Sequence, residues 1–190
     1  LNDTTLLGNS GNDTFKYTAL NFDSHDTLDG GSGTDTLLFT TAGTLTEAMF
    51  TNITSIEKIQ LADGGNTITL DASAKGATLL GGTGADIFKY AISDLTSIDS
   101  IIGGNGNDTL SFLDAGTISV SNLASISGVE YIQLFAGTNT LEVGTGYTIL
   151  GSSSDDILIG GAGVNNTINA GNGNDTFKFA LSDFTAGDII

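Results

Sequence analysis

Short runs in which apolar and polar residues alternate are the dominant pattern along the chain. These runs are rich in β-branched and aromatic residues and predict short strands with one buried face. The clearest are DTLLF, IEKIQL, TITL, DTLSF, VEYIQL and DTFKF. The side chains expected to face inward are Leu37, Phe39, Ile59, Leu61, Leu110, Phe112, Ile132 and Leu134. Two longer segments, TLTEAMFTNI and TISVSNLASI, have room for a single helical turn each.

Turns rich in glycine, Asn and Asp separate these strands at short intervals. They lie near residues 8–13, 30–35, 61–66, 81–86, 103–108, 134–139, 151–156 and 170–175. Their last residues are 22, 31, 20, 22, 31, 17 and 19 positions apart. Spacings near 20 are too short for βαβ crossovers but suit solenoid coils. We therefore predict an all-β fold, a parallel β-roll or β-helix solenoid with at most single helical turns.

The sequence repeats itself at a constant offset, which places Asp13 on Asp86, Asp35 on Asp108 and Glu57 on Glu130. We predict one continuous solenoid, 1–190, built from repeats 1–73 and 74–150 and a partial copy 151–190. The partial copy gains a short extra motif, GGAGVNNTINA, near Gly160. The end of the chain aligns with a segment that precedes another glycine-rich turn, so we expect a piece of a longer array.

Composition narrows the classes of function. The chain has 22 acidic and 5 basic residues, a formal net charge of -17, and no arginine. This balance argues against nucleic acid and anionic membrane surfaces, which both need Lys or Arg. The absence of cysteine excludes disulfides and thiolate zinc sites. No apolar run approaches the length that a membrane-spanning helix needs, so no membrane span is expected. Of the acids, 18 are Asp, a residue that favours turns and metal sites.

The glycine-rich turns have a form suited to holding a hard cation. The form is Gly-Gly-x-Gly-x-Asp-x-U-x, where U is a large apolar residue. Glycine permits a tight curl that directs carbonyl oxygens into one concavity, to which the Asp adds a carboxylate. Such an oxygen cage suits Ca²⁺. The predicted metal ligands are Gly8, Ser10, Gly11, Asp13, Gly30, Ser32, Gly33, Asp35, Gly81, Thr83, Gly84, Asp86, Gly103, Asn105, Gly106, Asp108, Gly151, Ser153, Asp156, Asn172, Gly173 and Asp175.

Stacking of coils predicts which turns share a cation. We expect Asp13 beside Asp35, Asp86 beside Asp108, and Asp156 beside Asp175. Two turns carry Asn66 and Asn139 in place of the acid, so a weaker site or none is expected there. On the opposite edge, further acids recur that could bind an ion, although capping of a turn is the better interpretation. They are Asp26, Asp99 and Asp188.

These turns resemble the calcium-binding nonapeptides of RTX proteins. The best matches begin at Gly30, Gly81 and Gly103, whereas Asn9 and Ala170 replace glycines of the motif in two other copies. The remainder resembles repeats of very large bacterial RTX adhesins and surface-layer proteins. The resemblance implies Ca²⁺ as cofactor, an extracellular or cell-surface location, and one-step export of an unfolded chain by a type I system.

We therefore expect a calcium-dependent structural or adhesive segment of a large secreted bacterial surface protein, without catalysis. Self-association or host glycan binding would then belong to the parent protein. Two alternatives stay open: a surface-layer lattice segment, and a secretion or folding module of an extracellular enzyme. The lone His25 is expected to be a solvated loop residue. Glu57 and Glu130 recur in each copy, which favours a structural role over catalysis.

Overall fold

The computed structural model describes residues 3–70, 76–96, 98–160, 166–180 and 187–190. Within these residues the chain forms short strands and almost no helix. The strands, in chain order, are β1 (Thr5–Leu7), β2 (Thr14–Tyr17), β3 (Thr27–Asp29), β4 (Thr36–Phe39), β5 (Thr44–Leu45), β6 (Ile53–Thr54), β7 (Lys58–Gln60), β8 (Thr67–Leu70), β9 (Thr78–Thr83), β10 (Ile87–Tyr90), β11 (Ser100–Asn105), β12 (Thr109–Phe112), β13 (Thr117–Ile118), β14 (Ile126–Ser127), β15 (Tyr131–Gln133), β16 (Thr140–Val143), β17 (Thr148–Leu150), β18 (Ile157–Gly160), β19 (Thr167–Asn169) and β20 (Thr176–Lys178).

The strands stack in parallel into four sheets, which form the faces of a solenoid. The sheet orders are β1-β3-β6, β14-β11-β9-β7-β4-β2, β19-β17-β15-β12-β10-β8-β5, and β13-β16-β18-β20. Paired strands come from successive coils, as in the pairing of Leu37 with Ile59. Seven rungs at the usual strand spacing span about 30 Å. The predicted parallel β-solenoid is confirmed.

The core is a narrow column of inward-facing side chains. In register, Leu37, Ile59 and Leu79 stack in one sheet and are each no more than 2% exposed. All eight residues predicted to face inward are buried. Their β-branched and aromatic neighbours fit a pleated, half-buried surface, which explains why such short segments form strands at all.

Two single helical turns interrupt the strands where the sequence predicted room for them. A 3₁₀ turn covers Glu47–Phe50, and an α-helical turn covers Val120–Leu123. Each buries its last apolar side chain, Phe50 or Leu123. The ring of Phe50 joins a small aromatic cluster around Phe22, whose centroid lies 5.4 Å away. Among the described residues, no helix is long and apolar enough to cross a membrane.

The turns between strands stack into three corners. The first corner joins β1 to β2, β3 to β4 and β6 to β7, and its rungs end at Asp13, Asp35 and Glu57. The second corner has five rungs, which end at Gly43, Asn66, Asp86, Asp108 and Glu130. The third corner has four, ending at Gly116, Asn139, Asp156 and Asp175. The change of corner arises because β7 is followed by β8, which pairs with β10.

Candidate metal centre

Each corner is held together by a ladder that runs from backbone to carboxylate. The backbone N–H of one corner residue donates to the carboxylate of the next rung. In the first corner, Asp13 N lies 2.7 Å from Asp35 Oδ1. In the second, Asp86 N lies 2.8 Å from Asp108 Oδ1, and in the third, Asp156 N lies 2.9 Å from Asp175 Oδ1. The three pairs predicted from the repeat spacing are confirmed as neighbours.

Glutamate forms the last rung of the first two ladders. Glu57 Oε2 accepts from Asp35 N at 2.7 Å, and Glu130 Oε2 accepts from Asp108 N at 2.9 Å. The sequence repeat indicates a structural role for these glutamates but does not by itself place them in the corners. Glu57 follows Asp35, and Glu130 follows Asp108, by the same number of residues that separates the members of the first two Asp pairs. This equal spacing is the sequence signal that could have placed both glutamates in the corners.

The second carboxylate oxygen of four corner aspartates is buried and has no hydrogen-bond partner. These atoms are Oδ2 of Asp13, Asp35, Asp86 and Asp108. Asp35, Asp86 and Asp108 are wholly buried as residues. A buried carboxylate oxygen without a donor costs several kcal/mol unless a cation or another donor compensates it. The corners therefore present anionic oxygens that require a positive partner.

The first glycine of each of these turns makes room for the oxygens. A Cβ placed on Gly30 would lie 2.6 Å from Asp35 Oδ2 and would overlap Ser55 O of the next rung. A Cβ on Gly103 would lie 2.7 Å from Asp108 Oδ2 and would overlap Gly128 O. A carboxylate oxygen and a carbonyl oxygen of the next rung thus converge on one point. Gly8 and Gly81 have the same surroundings.

The second and fourth turn positions need a left-handed backbone. Gly31 has φ of 88° and Gly33 has φ of 142°. Asn9 replaces the second glycine of the first turn and still adopts φ of 68°, which Asn tolerates better than most residues. The substitution at Asn9 therefore preserves the turn.

Burial also raises the pKa of two aspartates in the second corner, Asp86 and Asp108. It raises the pKa of the Asp86 carboxyl, against the lowering effect of hydrogen bonds from Asn66, while the charge of Asp108 raises it further. Burial is again the main reason why the pKa of Asp108 is raised, with a smaller contribution from the charge of Glu130. Both shifts have the direction expected of carboxylates removed from water without a cation.

The other predicted ligands lie in the same turns, and several of them are hydrogen-bonded to the turn of a neighbouring rung. Ser32 O accepts from Gly11 N at 2.9 Å, and Asn105 O accepts from Gly84 N at 2.8 Å. The Thr83 hydroxyl donates to Asp63 Oδ1 at 2.9 Å. Three glycines approach the backbone of the preceding rung so closely that a Cβ would clash with it: Gly33, Gly106 and Gly173. Ser10 forms an isolated parallel β-bridge with Ser32.

The third corner differs because its central carboxylate is already satisfied. Asp156 Oδ1 accepts from the backbone and the side-chain nitrogen of Asn139, both at 2.9 Å. Asp156 Oδ2 accepts from the backbone N and the hydroxyl of Ser152, also at 2.9 Å. Ser152 stands where the strong motifs have a second glycine. Among the remaining predicted ligands of this corner, Ser153 is exposed. A Cβ on Gly151 would clash with Ala170 O. The backbone N of Asn172 donates to Ser152 O.

The three acids on the opposite edge bind backbone N–H groups. Asp26 accepts from Thr4 N at 3.1 Å and from Asp23 N at 3.0 Å. Asp99 Oδ2 accepts from Thr96 N at 2.7 Å, and Asp188 Oδ1 accepts from Asn166 N at 2.9 Å. The bonds of Asp26 and Asp99 to the N–H three residues earlier are those of turn caps, whereas Thr4 N and Asn166 N belong to a neighbouring coil. Most of the extra motif after Gly160, residues 161–165, lies outside the described residues.

The donor set of the first two corners fits Ca²⁺. Hard oxygen ligands that combine few carboxylates with carbonyls are what this ion prefers. In the described part of the chain, no group of three or more His, Cys, Asp or Glu side chains could hold a metal ion. His25 is exposed. Among the described residues, the only ion pair of its ring joins Nδ1 to Asp23 Oδ1, at 3.1 Å.

Comparison with known proteins agrees with this chemistry. A family model for the RTX calcium-binding nonapeptide repeat (4 copies) matches residues 22–38, 92–113 and 148–177. Searches of the curated proteins and of the solved structures returned no match. The matched segments include the turns that end at Asp35, Asp108, Asp156 and Asp175. The chain therefore carries RTX calcium-binding nonapeptide repeats on a parallel β-solenoid.

Proposed function

We propose that the chain is a calcium-dependent structural or adhesive segment of a large secreted bacterial surface protein, and that it folds when it meets calcium after export. One observation carries this proposal: two stacked pairs of aspartates, one in each of the first two corners, bury carboxylate oxygens that have no donor. A fold that leaves these oxygens without a partner is incomplete without a cation. The resemblance to bacterial RTX adhesins supports the adhesive role and the extracellular location.

Within this proposal, the principal ligands are Oδ2 of Asp13, Asp35, Asp86 and Asp108, each supplemented by the carbonyl oxygen that approaches it from the next rung. Bound Ca²⁺ would supply the missing positive charge and accept further carbonyl oxygens of the turns. The first glycines keep the space beside each carboxylate open. Asp156 and Asp175 form a third, weaker candidate, because Asp156 is already hydrogen-bonded on both oxygens.

The charge of the chain makes folding depend on that cation. The formal net charge is -17, and the corner carboxylates stack at the spacing of neighbouring strands, about 4.8 Å. Repulsion between them opposes stacking when no cation is bound. Each site at a free calcium concentration of 100 times its Kd adds about 2.7 kcal/mol to the folded state. Extracellular modules bind with a Kd of about 10⁻⁴ to 10⁻³ M, so folding would follow export.

The carboxylates outside the proposed sites support a structural role for the chain. Glu57 and Glu130 are the repeated pair that could suggest catalytic acids. Each instead accepts a backbone N–H as the last rung of a ladder. A side chain that closes a stack of coils is explained by the fold alone.

A calcium titration followed by far-UV circular dichroism tests the proposal. We expect β-structure to form as calcium is added, to be lost with EDTA, and to form poorly with magnesium at the same concentration, because Mg²⁺ demands stricter geometry. Equal spectra in calcium and in EDTA would contradict calcium-dependent folding.

The adhesive role is tested by the assembly state of the calcium-loaded chain. Light scattering should show a monomer in calcium, and electron microscopy should show separate short rods. Ordered two-dimensional sheets on addition of calcium would contradict the adhesive segment and favour a surface-layer lattice.

A further inference from the structure

Two corner residues are asparagines, and their side-chain amides lie among oxygen atoms. Asn66 Nδ2 is 2.8 Å from Ala62 O, 2.8 Å from Gly64 O and 2.8 Å from Asp86 Oδ1. The residue is 3% exposed. Its two N–H bonds are therefore shared among three oxygens, one of which is the carboxylate of the next rung.

The second asparagine repeats this arrangement one corner later. Asn139 Nδ2 is 2.9 Å from Phe135 O, 2.7 Å from Gly137 O and 2.9 Å from Asp156 Oδ1. Asn139 is wholly buried. The two sets of contacts are the same by position: the carbonyls four and two residues earlier, and the next carboxylate. The arrangement is therefore a feature of the repeat.

Comparison within the corners identifies the atom that the amide nitrogen replaces. Asn66 Oδ1 accepts from Gly43 N of the preceding rung, as Asp86 Oδ1 accepts from Asn66 N and Asp108 Oδ1 from Asp86 N. The Oδ1 atoms are thus equivalent, and Nδ2 of Asn66 corresponds to Oδ2 of Asp86 and Asp108. These Oδ2 atoms have no donor, whereas the nitrogen brings its own.

We propose that Asn66 and Asn139 are calcium-independent rungs, in which the side-chain amide takes the role that a cation has beside the aspartates. The inference rests on the proposed function for the aspartate rungs. Each asparagine is the first residue of its corner that contributes a side chain to the ladder, because the preceding rungs end at glycines, Gly43 and Gly116. Each also donates twice to the next carboxylate, through its backbone and side-chain nitrogens. The calcium-dependent rungs therefore stack on a base that is locked without metal.

Exchange of amide and carboxylate tests this assignment in both directions. Asn66→Asp places a carboxylate oxygen among three oxygens, so the calcium concentration at half-maximal folding should rise severalfold. Asn21→Asp is the matched control, because it adds the same charge at an exposed position outside the corners. Its calcium midpoint should stay at the wild-type value.

The reciprocal variant is Asp108→Asn, compared with Asp108→Ala. Asp108→Asn should bind fewer calcium ions by titration calorimetry, yet fold at a lower calcium concentration than wild type, because the amide now supplies the donor. Asp108→Ala should also bind fewer ions but need more calcium to fold. The proposal is overturned if Asp108→Asn needs as much calcium to fold as Asp108→Ala does. It is also overturned if Asn66→Asp and Asn21→Asp have the same calcium midpoint of folding. If Asn66→Asp does not fold in any calcium concentration, the Asp108 pair decides.

The two proposals fail separately. If wild type shows no response to calcium, the proposed function is wrong, and urea midpoints in EDTA then test the asparagines alone. In that case Asn66→Asp should have a lower urea midpoint than Asn21→Asp, and Asp108→Asn a higher one than Asp108→Ala. Equal midpoints within both pairs would overturn the assignment of the amides.

Discussion

Removal of the Asp108 carboxylate is the perturbation whose consequences the structure defines best. Asp108 is wholly buried in the second corner, between Asp86 and Glu130. Its Oδ1 accepts Asp86 N at 2.8 Å, and its Oδ2 has no donor. Asp108→Ala thus removes one hydrogen-bond acceptor and one oxygen of the proposed calcium site.

These two losses have different dependences on calcium. The unpaired N–H of Asp86 costs about 1–3 kcal/mol whether or not calcium is present. Loss of a calcium site costs about 2.7 kcal/mol more at a free calcium concentration of 100 times its Kd. The stabilisation that calcium adds, measured by urea unfolding at free calcium concentrations of about 100 and about 1,000 times the Kd, at which the chain is folded, should therefore fall by about 1.4 kcal/mol for each site lost.

Asp114→Ala is the matched control for this measurement. Asp114 is exposed, lies outside the corners, and accepts Ile92 N at 2.7 Å. Its removal deletes a carboxylate and a backbone hydrogen bond but no proposed ligand, so the stabilisation by calcium should equal that of wild type. If Asp108→Ala and Asp114→Ala retain the same stabilisation by calcium, the corner carboxylate does not bind the ion.

Three further perturbations test the space that glycine leaves beside the carboxylates, the charge of those carboxylates, and the packing of the core. Gly103→Ala should weaken calcium binding in calorimetry because its Cβ would overlap a carbonyl oxygen. Gly116→Ala, whose Cβ would meet only the flexible end of the Ile92 side chain at 3.2 Å, should not, and equal affinities of the two variants would contradict the role of Gly103. The pKa values of Asp86 and Asp108 are raised, so their protonation stabilises the metal-free fold, fully at pH below about 3.9 and less as pH rises through the folded pKa. The calcium-free chain should therefore show more β-structure by circular dichroism near pH 4 than at pH 7, and the reverse order would refute this. Phe88→Ala, at a fully buried position, should lower the free energy of unfolding in calcium by about 3–5 kcal/mol in urea titrations, and a loss under about 1 kcal/mol would contradict the packed column.

The solenoid and its three aspartate pairs could be predicted because they depend on sequence spacing. The length of one coil separates Asp13 from Asp35 and Asp86 from Asp108, so the members of each pair meet whenever coils of that length stack in register. Period-two alternation likewise identified inward residues such as Leu110. Local patterns suffice for such features, since each involves only the strand period and the coil length.

The assignment of turns to corners could not be read from spacing. The structure places Asn66 beside Asp86, although the turn it ends follows that of Asp35 in the chain. The reason is that the next rung after Asp35 in its own corner ends at Glu57, whereas the turn from β7 to β8, which ends at Asn66, lies at the following corner of the coil. Which oxygen lacks a donor depends on this register. The roles of the amides and of the Ser152 hydroxyl therefore emerge only in three dimensions.

The location of bound calcium is the most direct measurement. A crystal of the chain grown in calcium, with diffraction recorded where calcium scatters anomalously, would show the ions individually. The account predicts anomalous peaks beside Oδ2 of the first- and second-corner aspartates, Asp13, Asp35, Asp86 and Asp108, and none beside Nδ2 of Asn66 or Asn139. Peaks at the asparagine rungs, or ordered aspartate rungs in the same crystal without peaks, would contradict it.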